Sequence, residues 1–192
     1  MLVDKASSCV VLVDVQDKLT PLIHNHEKLI TNCQWVCQLA RELDVPIIVS
    51  EQYPKGLGHT IPALQPFVTD TNTQTKVAFS CAADTACMQA VEQTGAQQII
   101  LVGIEAHVCV LQTAIGLRER GFEVFVVADA VSSRDAQAAN LALSRMRHST
   151  VDIINREMLL FEWLREAGTD SFRSISQLFL KGDTWKSAIR PV

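Results

Sequence analysis

The sequence predicts an α/β fold: an open, doubly wound parallel sheet of five or six strands, with helices on both faces. Two observations carry this. The apolar runs are short, β-branched and unbroken by polar residues, as strands covered on both faces are. Between them lie stretches of three- and four-residue apolar periodicity, long enough to be the crossover helices that parallel neighbours require. Five or six strands in 192 residues are too few for a closed eight-fold barrel.

Taken in order, Cys9-Val10-Val11-Leu12-Val13 is the first strand. Leu29, Cys33, Val36, Cys37, Ala40 and Leu43 then mark one face of a helix. Val45-Pro46-Ile47-Ile48-Val49 is the second strand, and Thr75-Lys76-Val77-Ala78-Phe79 a weaker third. Ala86, Ala90 and Val91 recur at helical spacing behind Asp84, an N-cap residue type. Gln98-Ile99-Ile100-Leu101-Val102-Gly103 is the fourth strand and leads to a helix over 108–120. Glu123-Val124-Phe125-Val126-Val127-Ala128 is the fifth, followed by a helix over 135–147. Val151-Asp152-Ile153-Ile154 is the sixth, followed by a helix over 155–167. Gly95, Gly121 and Gly168 fall where helices should stop. An amphipathic piece over Phe172–Leu180 belongs to a C-terminal segment, about 170–192, expected to dock on the body or on a neighbouring subunit. No repeat, low-complexity tract or linker divides 1–192, so a single domain is expected.

Composition narrows the function classes. With 48% hydrophobic residues the chain has ample core, and 17 basic against 21 acidic side chains give a net charge of −4. No basic stripe suggests nucleic acid. No apolar run approaches the roughly 18 residues of a membrane span. The polar start Met1–Ser8 has neither a signal-peptide nor a transit-peptide pattern, so a cytoplasmic chain is expected. The six cysteines, at 9, 33, 37, 81, 87 and 109, contain no Cys-x-x-Cys pair, and most should be reduced core residues.

In open α/β sheets, ligands bind beyond the carboxyl ends of the strands, where strand order reverses. Asp14 ends the first strand, and the fourth runs through Gly103-Ile104-Glu105-Ala106-His107-Val108 to Cys109, which should open the next helix. In the order 3-2-1-4-5-6 both face one crevice. A helix N-terminus favours thiolate at Cys109, and its N–H groups suit an oxyanion. Core packing is the rival reading for Cys109, and helix capping or loop initiation for Asp14. Cys33 and Cys37, at i, i+4 on an apolar face, and Cys9, inside a strand, read as core. Lys76 reads as a surface lysine by pattern alone. His24-x-His26 lacks a carboxylate partner for a metal, and His107 is either a base or a shaper of its turn. Lys55-Gly56-Leu57-Gly58-His59 lacks phosphate-loop spacing, and no nucleophile elbow, P-loop, His-Glu-x-x-His or dinucleotide fingerprint is present.

Asp14, Thr75-Lys76 and Gly103-Ile104-Glu105-Ala106-His107-Val108-Cys109, together with Glu51–Gly58, Thr75–Cys81 and Val127–Arg134, resemble the isochorismatase-like cysteine hydrolases, most of all their uncharacterised isochorismatase-domain-containing members. The resemblance runs from about residue 7 to 168. It implies a three-layer, six-stranded parallel sheet in the Rossmann-like order 3-2-1-4-5-6, an Asp14–Lys76–Cys109 triad, a cis peptide between Ile104 and Glu105, and an oxyanion hole of the Glu105 and Cys109 N–H groups. It also implies hydrolysis of a C–N bond in a small amide or ureido compound through a Cys109 thioester, without a cofactor, in a homo-oligomer. The metal-binding Asp-x-His of nicotinamidases is replaced by Ser50-Glu51-Gln52-Tyr53, with His59 nearby, so no metal is expected. Cys81 lines the pocket or packs in the core. Rival expectations are isochorismatase-type vinyl-ether hydrolysis, a non-catalytic binding protein, and a redox sensor with a resolving thiol such as Cys81.

Overall fold

The computed structural model describes residues 1–190. Its sheet has six parallel strands: β1 (Ser8–Val13), β2 (Ile47–Gln52), β3 (Thr73–Lys76), β4 (Gln98–Gly103), β5 (Glu123–Val131) and β6 (Asp152–Ile154). They lie in the order β3-β2-β1-β4-β5-β6. The helices are α1 (His26–Glu42), a single turn α2 (Pro54–Leu57), α3 (Thr85–Gln93), α4 (Leu111–Glu119), α5 (Ala136–His148), α6 (Arg156–Leu164) and α7 (Asp170–Phe179).

The pleat of β1 explains why its run is unbroken by polar residues. Successive side chains leave opposite faces. Val10 and Leu12 enter a core shared with α1, α6 and α7. Cys9, Val11 and Val13 enter a second core with α3, α4 and α5. Both faces are covered, so alternation has no function. The chain winds outward from β1 through β2 to β3, then returns to β4 and winds the other way. The reversal lies between β1 and β4, which pair from Ser8↔Gln98 to Val13↔Gly103.

Several boundaries differ from the sequence expectation. The third strand starts two residues earlier and ends three earlier, at Thr73–Lys76, because it pairs with β2 from Val49↔Thr73 to Gln52↔Lys76. Val77 and Phe79, the apolar residues that suggested its continuation, are exposed. Before α4, residues Ala106–Val110 form a π-helical turn, so Cys109 sits one turn inside rather than at the opening residue. The sixth helix stops at Leu164 and Arg165 takes a positive φ of 62°, so Gly168 lies in the connection to α7. Asp84 caps α3 by accepting from Cys87 N–H at 3.0 Å, as its position suggested.

Beyond α7, Phe179 meets Trp35 of α1 edge-on, with ring centroids 5.1 Å apart, and stacks on Trp185. The final helical turns thus lie on the outer face of α1. Among the described residues, no helix is long and apolar enough to cross a membrane.

Candidate active site

The reversal point brings together the ends of four strands. Asp14 follows β1 with φ at 51°, a left-handed conformation that Asp tolerates better than most residues. Its N–H donates to Ser50 O at 3.1 Å, prolonging the β1–β2 pairing, while its side chain is completely buried. It caps no helix. Lys76 ends β3, two strands away, and its four-carbon stem spans the end of β2. Its Nζ lies 2.7 Å from Asp14 Oδ2, and neither side chain is exposed. A buried lysine must have each donor engaged. Here Nζ also donates to Gln52 Oε1 at 2.6 Å and Phe79 O at 3.1 Å. Ser50 Oγ donates to Asp14 Oδ1 at 2.7 Å, so each carboxylate oxygen has its own donor.

Gln52 is held in turn by Gln16, which is fully buried. Gln16 Oε1 accepts from Gln52 N–H at 2.7 Å, and its Nε2 donates to Gln52 O at 3.0 Å and Gly58 O at 2.7 Å. Ser50, Gln52 and Gln16 were not singled out in the sequence. The available signal was a polar Ser50-Glu51-Gln52 ending a strand that begins as Ile47-Ile48-Val49, since buried polar groups at a strand end must be satisfied by something. Glu51 points away from the site. Its carboxylate accepts from Thr60 N–H, Thr60 Oγ1 and His59 Nδ1 at 2.7, 2.9 and 2.9 Å. It staples the loop after α2, and these donors hold it below the usual carboxylate range despite burial.

From the other side comes the segment after β4. Gly103 has φ at 114°, and a Cβ there would overlap the Val13 carbonyl oxygen. Only glycine lets β4 approach β1 this closely. The Ile104–Glu105 peptide bond is cis. The chain then turns so that Cys109, 6% exposed, lies against Asp14, with its thiol and that carboxylate within hydrogen-bonding reach. The neighbouring amides are engaged. Ala106 N–H donates to Ser132 O, Val108 and Val110 N–H to Glu105 O, and His107 N–H to Ser133 Oγ. Glu105 itself forms a fork with Arg134, whose Nε lies 3.1 Å from Oε2 and whose Nη2 lies 3.1 Å from Oε1. His107 Nδ1 meets the buried Ser133 Oγ at 2.9 Å, a contact that orients its turn.

Burial pushes Asp14 above the usual carboxylate range, although Lys76 and the hydrogen bonds from Ser50 and Cys109 pull against it. For Lys76, burial works against the charge, but Asp14, Cys81 and Cys109 together outweigh it and the ammonium is held above its ordinary value. Burial first, then the Asp14 charge, pushes the Cys109 thiol upward. The helix-end effect expected from the sequence is therefore outweighed, and the resting cysteine is a neutral thiol beside the Asp14 carboxyl group.

The remaining cysteines divide. Cys9, Cys33 and Cys37 are core, and burial raises all three thiols. Cys81 and Cys87 share the buried cluster of Cys109. A surface hollow of about 390 Å³ beside Lys76 is lined by Tyr53, Pro54, Thr75 and Val77. A larger one, of about 630 Å³, lies between Ser80, Gln112, Arg120 and Arg145 and includes none of Asp14, Lys76 and Cys109. No group of three or more His, Cys, Asp or Glu among the described residues is placed to hold a metal ion. His24 instead meets Asn25 Nδ2.

A six-stranded parallel sheet whose order reverses between β1 and β4 defines an α/β protein of the open, doubly wound type. The isochorismatase domain model matches residues 8–158, and the chain belongs to the isochorismatase family. It is 39% identical over 171 residues to isochorismatase domain-containing protein 2 of Danio rerio, covering 89% of this chain and 86% of that one. It is 35% identical to isochorismatase family protein 1B of Dictyostelium discoideum, covering 88% and 84%. Among solved structures it is similar to the MAR1 ribonuclease of Caenorhabditis elegans, with 34% identity, TM-score 0.85, and 100% and 98% of the two chains covered. It is also similar to the YcaC gene product of Escherichia coli, described as an octameric hydrolase of unknown specificity. That match has 25% identity and TM-score 0.88, covering 98% and 94%.

Proposed function

We propose that this chain is a cysteine hydrolase that cleaves the C–N bond of a small amide or ureido compound, with Asp14, Lys76 and Cys109 as its catalytic residues. The observation that carries this is the fully buried Asp14–Lys76 pair, with Nζ and Oδ2 2.7 Å apart and the Cys109 thiol against the same carboxylate. A desolvated carboxylate with a raised proton affinity is a competent base for a neutral thiol.

Asp14 takes the Cys109 proton while Lys76 balances the charge left around it. The sulfur adds to the carbonyl carbon. As the family resemblance implies, the N–H groups of Glu105 and Cys109 hold the resulting oxyanion. Asp14 returns the proton to the departing nitrogen as the C–N bond breaks, leaving a thioester. It then takes a proton from water, which cleaves the thioester and restores the thiol. The chemistry needs no resident cofactor. By analogy with the octameric Escherichia coli relative, the chain works as a homo-oligomer, which light scattering tests.

The test is intact-mass and peptide mass spectrometry after incubation with a panel of small amides and ureides. The expected result is an acyl mass on Cys109 that is absent in Cys109→Ala. Equal alkylation of all six cysteines, with no adduct, overturns the reading. Two added arms separate the rivals. Vinyl-ether turnover that survives Cys109→Ala but not Asp14→Asn indicates the isochorismatase reaction, in which the aspartate acts without a nucleophile. RNA cleavage lost in Cys109→Ala indicates the activity named for the Caenorhabditis elegans relative.

A further inference from the structure

The strand β2 ends in Ser50-Glu51-Gln52, and the hydrolytic scheme uses none of the three. Ser50 and Gln52 lie two residues apart and so leave one face of the sheet, while Glu51 leaves the other. Gln52 is also the register partner of Lys76 on β3, which sets their side chains next to each other. One face of β2 therefore grips both halves of the buried pair. Ser50 Oγ donates to Asp14 Oδ1 at 2.7 Å, and Gln52 Oε1 accepts from Lys76 Nζ at 2.6 Å. An ammonium has three donors, and those of Lys76 meet Asp14 Oδ2, Gln52 Oε1 and Phe79 O. None is left for a substrate. The flexible four-carbon stem does not fix where the ammonium points, so the two neutral oxygens do. The Gln52 carboxamide has one orientation open to it. Its Oε1 faces a group that can only donate, and its Nε2 donates at 2.7 Å to Val77 O, which can only accept. Gln16, completely buried, clamps the Gln52 main chain at both N–H and C=O and is anchored in turn on Gly58 O.

We infer that Gln52 is a positioning residue, which aims the Lys76 ammonium at Asp14 Oδ2 and is held in that pose by Gln16. This rests on the reading of Asp14 as the base. Of the titratable groups that face Asp14, Lys76 from β3, Cys109 from the turn before α4 and Cys81 from the segment after β3, Lys76 alone is a cation. A carboxylate without water depends on that one cation to stay ionised. If the ammonium swings away, Asp14 keeps its own proton to higher pH and cannot take the one on Cys109. The neutrality of Gln52 matters as much as its reach. A carboxylate in its place would lie no more than about 5 Å from Asp14 Oδ2, because both would touch Nζ, and like charges at that range oppose each other's ionisation. Glutamine supplies the oxygen without the charge.

Carbon-13 NMR of the full-length chain labelled at its aspartate carboxyls reads the Asp14 titration midpoint without any substrate, the signal being assigned by its loss in Asp14→Asn. Wild type, Gln52→Met, Lys76→Met and the double variant are compared. Gln52→Met keeps the length of the side chain and removes the carboxamide. It should raise the Asp14 midpoint by roughly one unit where Lys76 is present, and leave it unchanged where Lys76 is replaced. Gln52→Asn, one methylene too short to reach both Nζ and Val77 O, should give a smaller rise in the same direction. Thermal melting shows that each variant is folded. An equal rise with and without Lys76 overturns the inference. So does a lowered melting temperature with no rise at all, which is what a purely structural glutamine would give. Steady-state kinetics on a substrate should show Gln52→Met lowering kcat with KM within about twofold, since Nζ has no donor to offer a substrate; a change confined to KM counts against the role. The hydrolase reading fails separately, by the absence of an acyl adduct on Cys109. A shifted midpoint without an adduct sinks the hydrolysis alone, and an adduct with an unshifted midpoint sinks the role of Gln52 alone.

Discussion

Replacing Lys76 by methionine keeps the length of the side chain and removes its charge. In the native protein Asp14 Oδ2 faces Lys76 Nζ at 2.7 Å with both side chains completely buried. Without the ammonium the carboxylate keeps only Ser50 Oγ and the Cys109 thiol as donors. Breaking a buried ion pair from one side costs about 3–5 kcal/mol, because the remaining charge is desolvated and unpaired. For a chain of this size each kcal/mol moves the melting temperature by about 2–4 °C, so a drop of roughly 10 °C is expected.

The pH dependence of that loss is specific. Burial already raises Asp14, and removing Lys76 leaves that push less opposed. A carboxyl whose folded value exceeds its unfolded value favours folding fully below the unfolded value and loses this contribution as pH rises through the folded one. The Lys76→Met deficit should therefore be largest at pH 8 and shrink toward pH 5, as the lone Asp14 protonates. Asp14→Asn combined with Lys76→Met should recover much of the stability, giving a favourable coupling for the pair. Urea unfolding of the four proteins at pH 5, 6.5 and 8 measures this. A deficit below about 1 kcal/mol, the range of exposed pairs, or one that does not change with pH, refutes the desolvated pair.

Other consequences are open to direct measurement. Hydrolysis by wild type should fall as pH drops through the raised value of Asp14, so the acid limb of its pH–rate profile should lie above the usual carboxylate range of about 4. Asp14→Asn should lower turnover by roughly 10²–10⁴-fold, read by steady-state kinetics once a substrate is in hand. Gly103→Ala should destabilise by at least about 2 kcal/mol in urea unfolding, because φ of 114° and the Val13 carbonyl both exclude a Cβ. Asp84→Ala should cost about 1 kcal/mol as a lost helix cap, with faster hydrogen exchange at the Cys87 amide.

The strands were legible because each buried strand announces itself locally, while their order followed from the family resemblance. The run Cys9–Val13 needs no knowledge of its neighbours to be read as covered on both faces. The helices between the strands were legible for the same reason, and Asp84 and Gly121 marked two of their ends. The boundaries that moved are those set by pairing or by non-local contact. β3 begins and ends where β2 offers partners, not where apolar residues lie. The turn before α4 is shaped by Ser132 and Ser133, which arrive from the end of β5.

The site divides along the same line. Asp14 and Cys109 could be named because position at a strand end is a local property and topology places those two ends together. Lys76 could not be reached from pattern, since a lysine beside a polar strand reads as a surface residue unless its partner is known. The resemblance to a family supplied it. Ser50, Gln52 and Gln16 were missed for a related reason, because their hydrogen bonds cross between strands.

By itself, then, the sequence determined the layers, the winding and the two residues that end the central strands, since periodicity and strand-end position are written along the chain. Only the tertiary structure decided that Lys76 is buried against Asp14 and that Cys109 rests as a neutral thiol. It also decided that Cys81 and Cys87 share one buried cluster with Cys109. Desolvation and proximity are properties of what surrounds a group, and most of those surroundings arrive from distant parts of the chain.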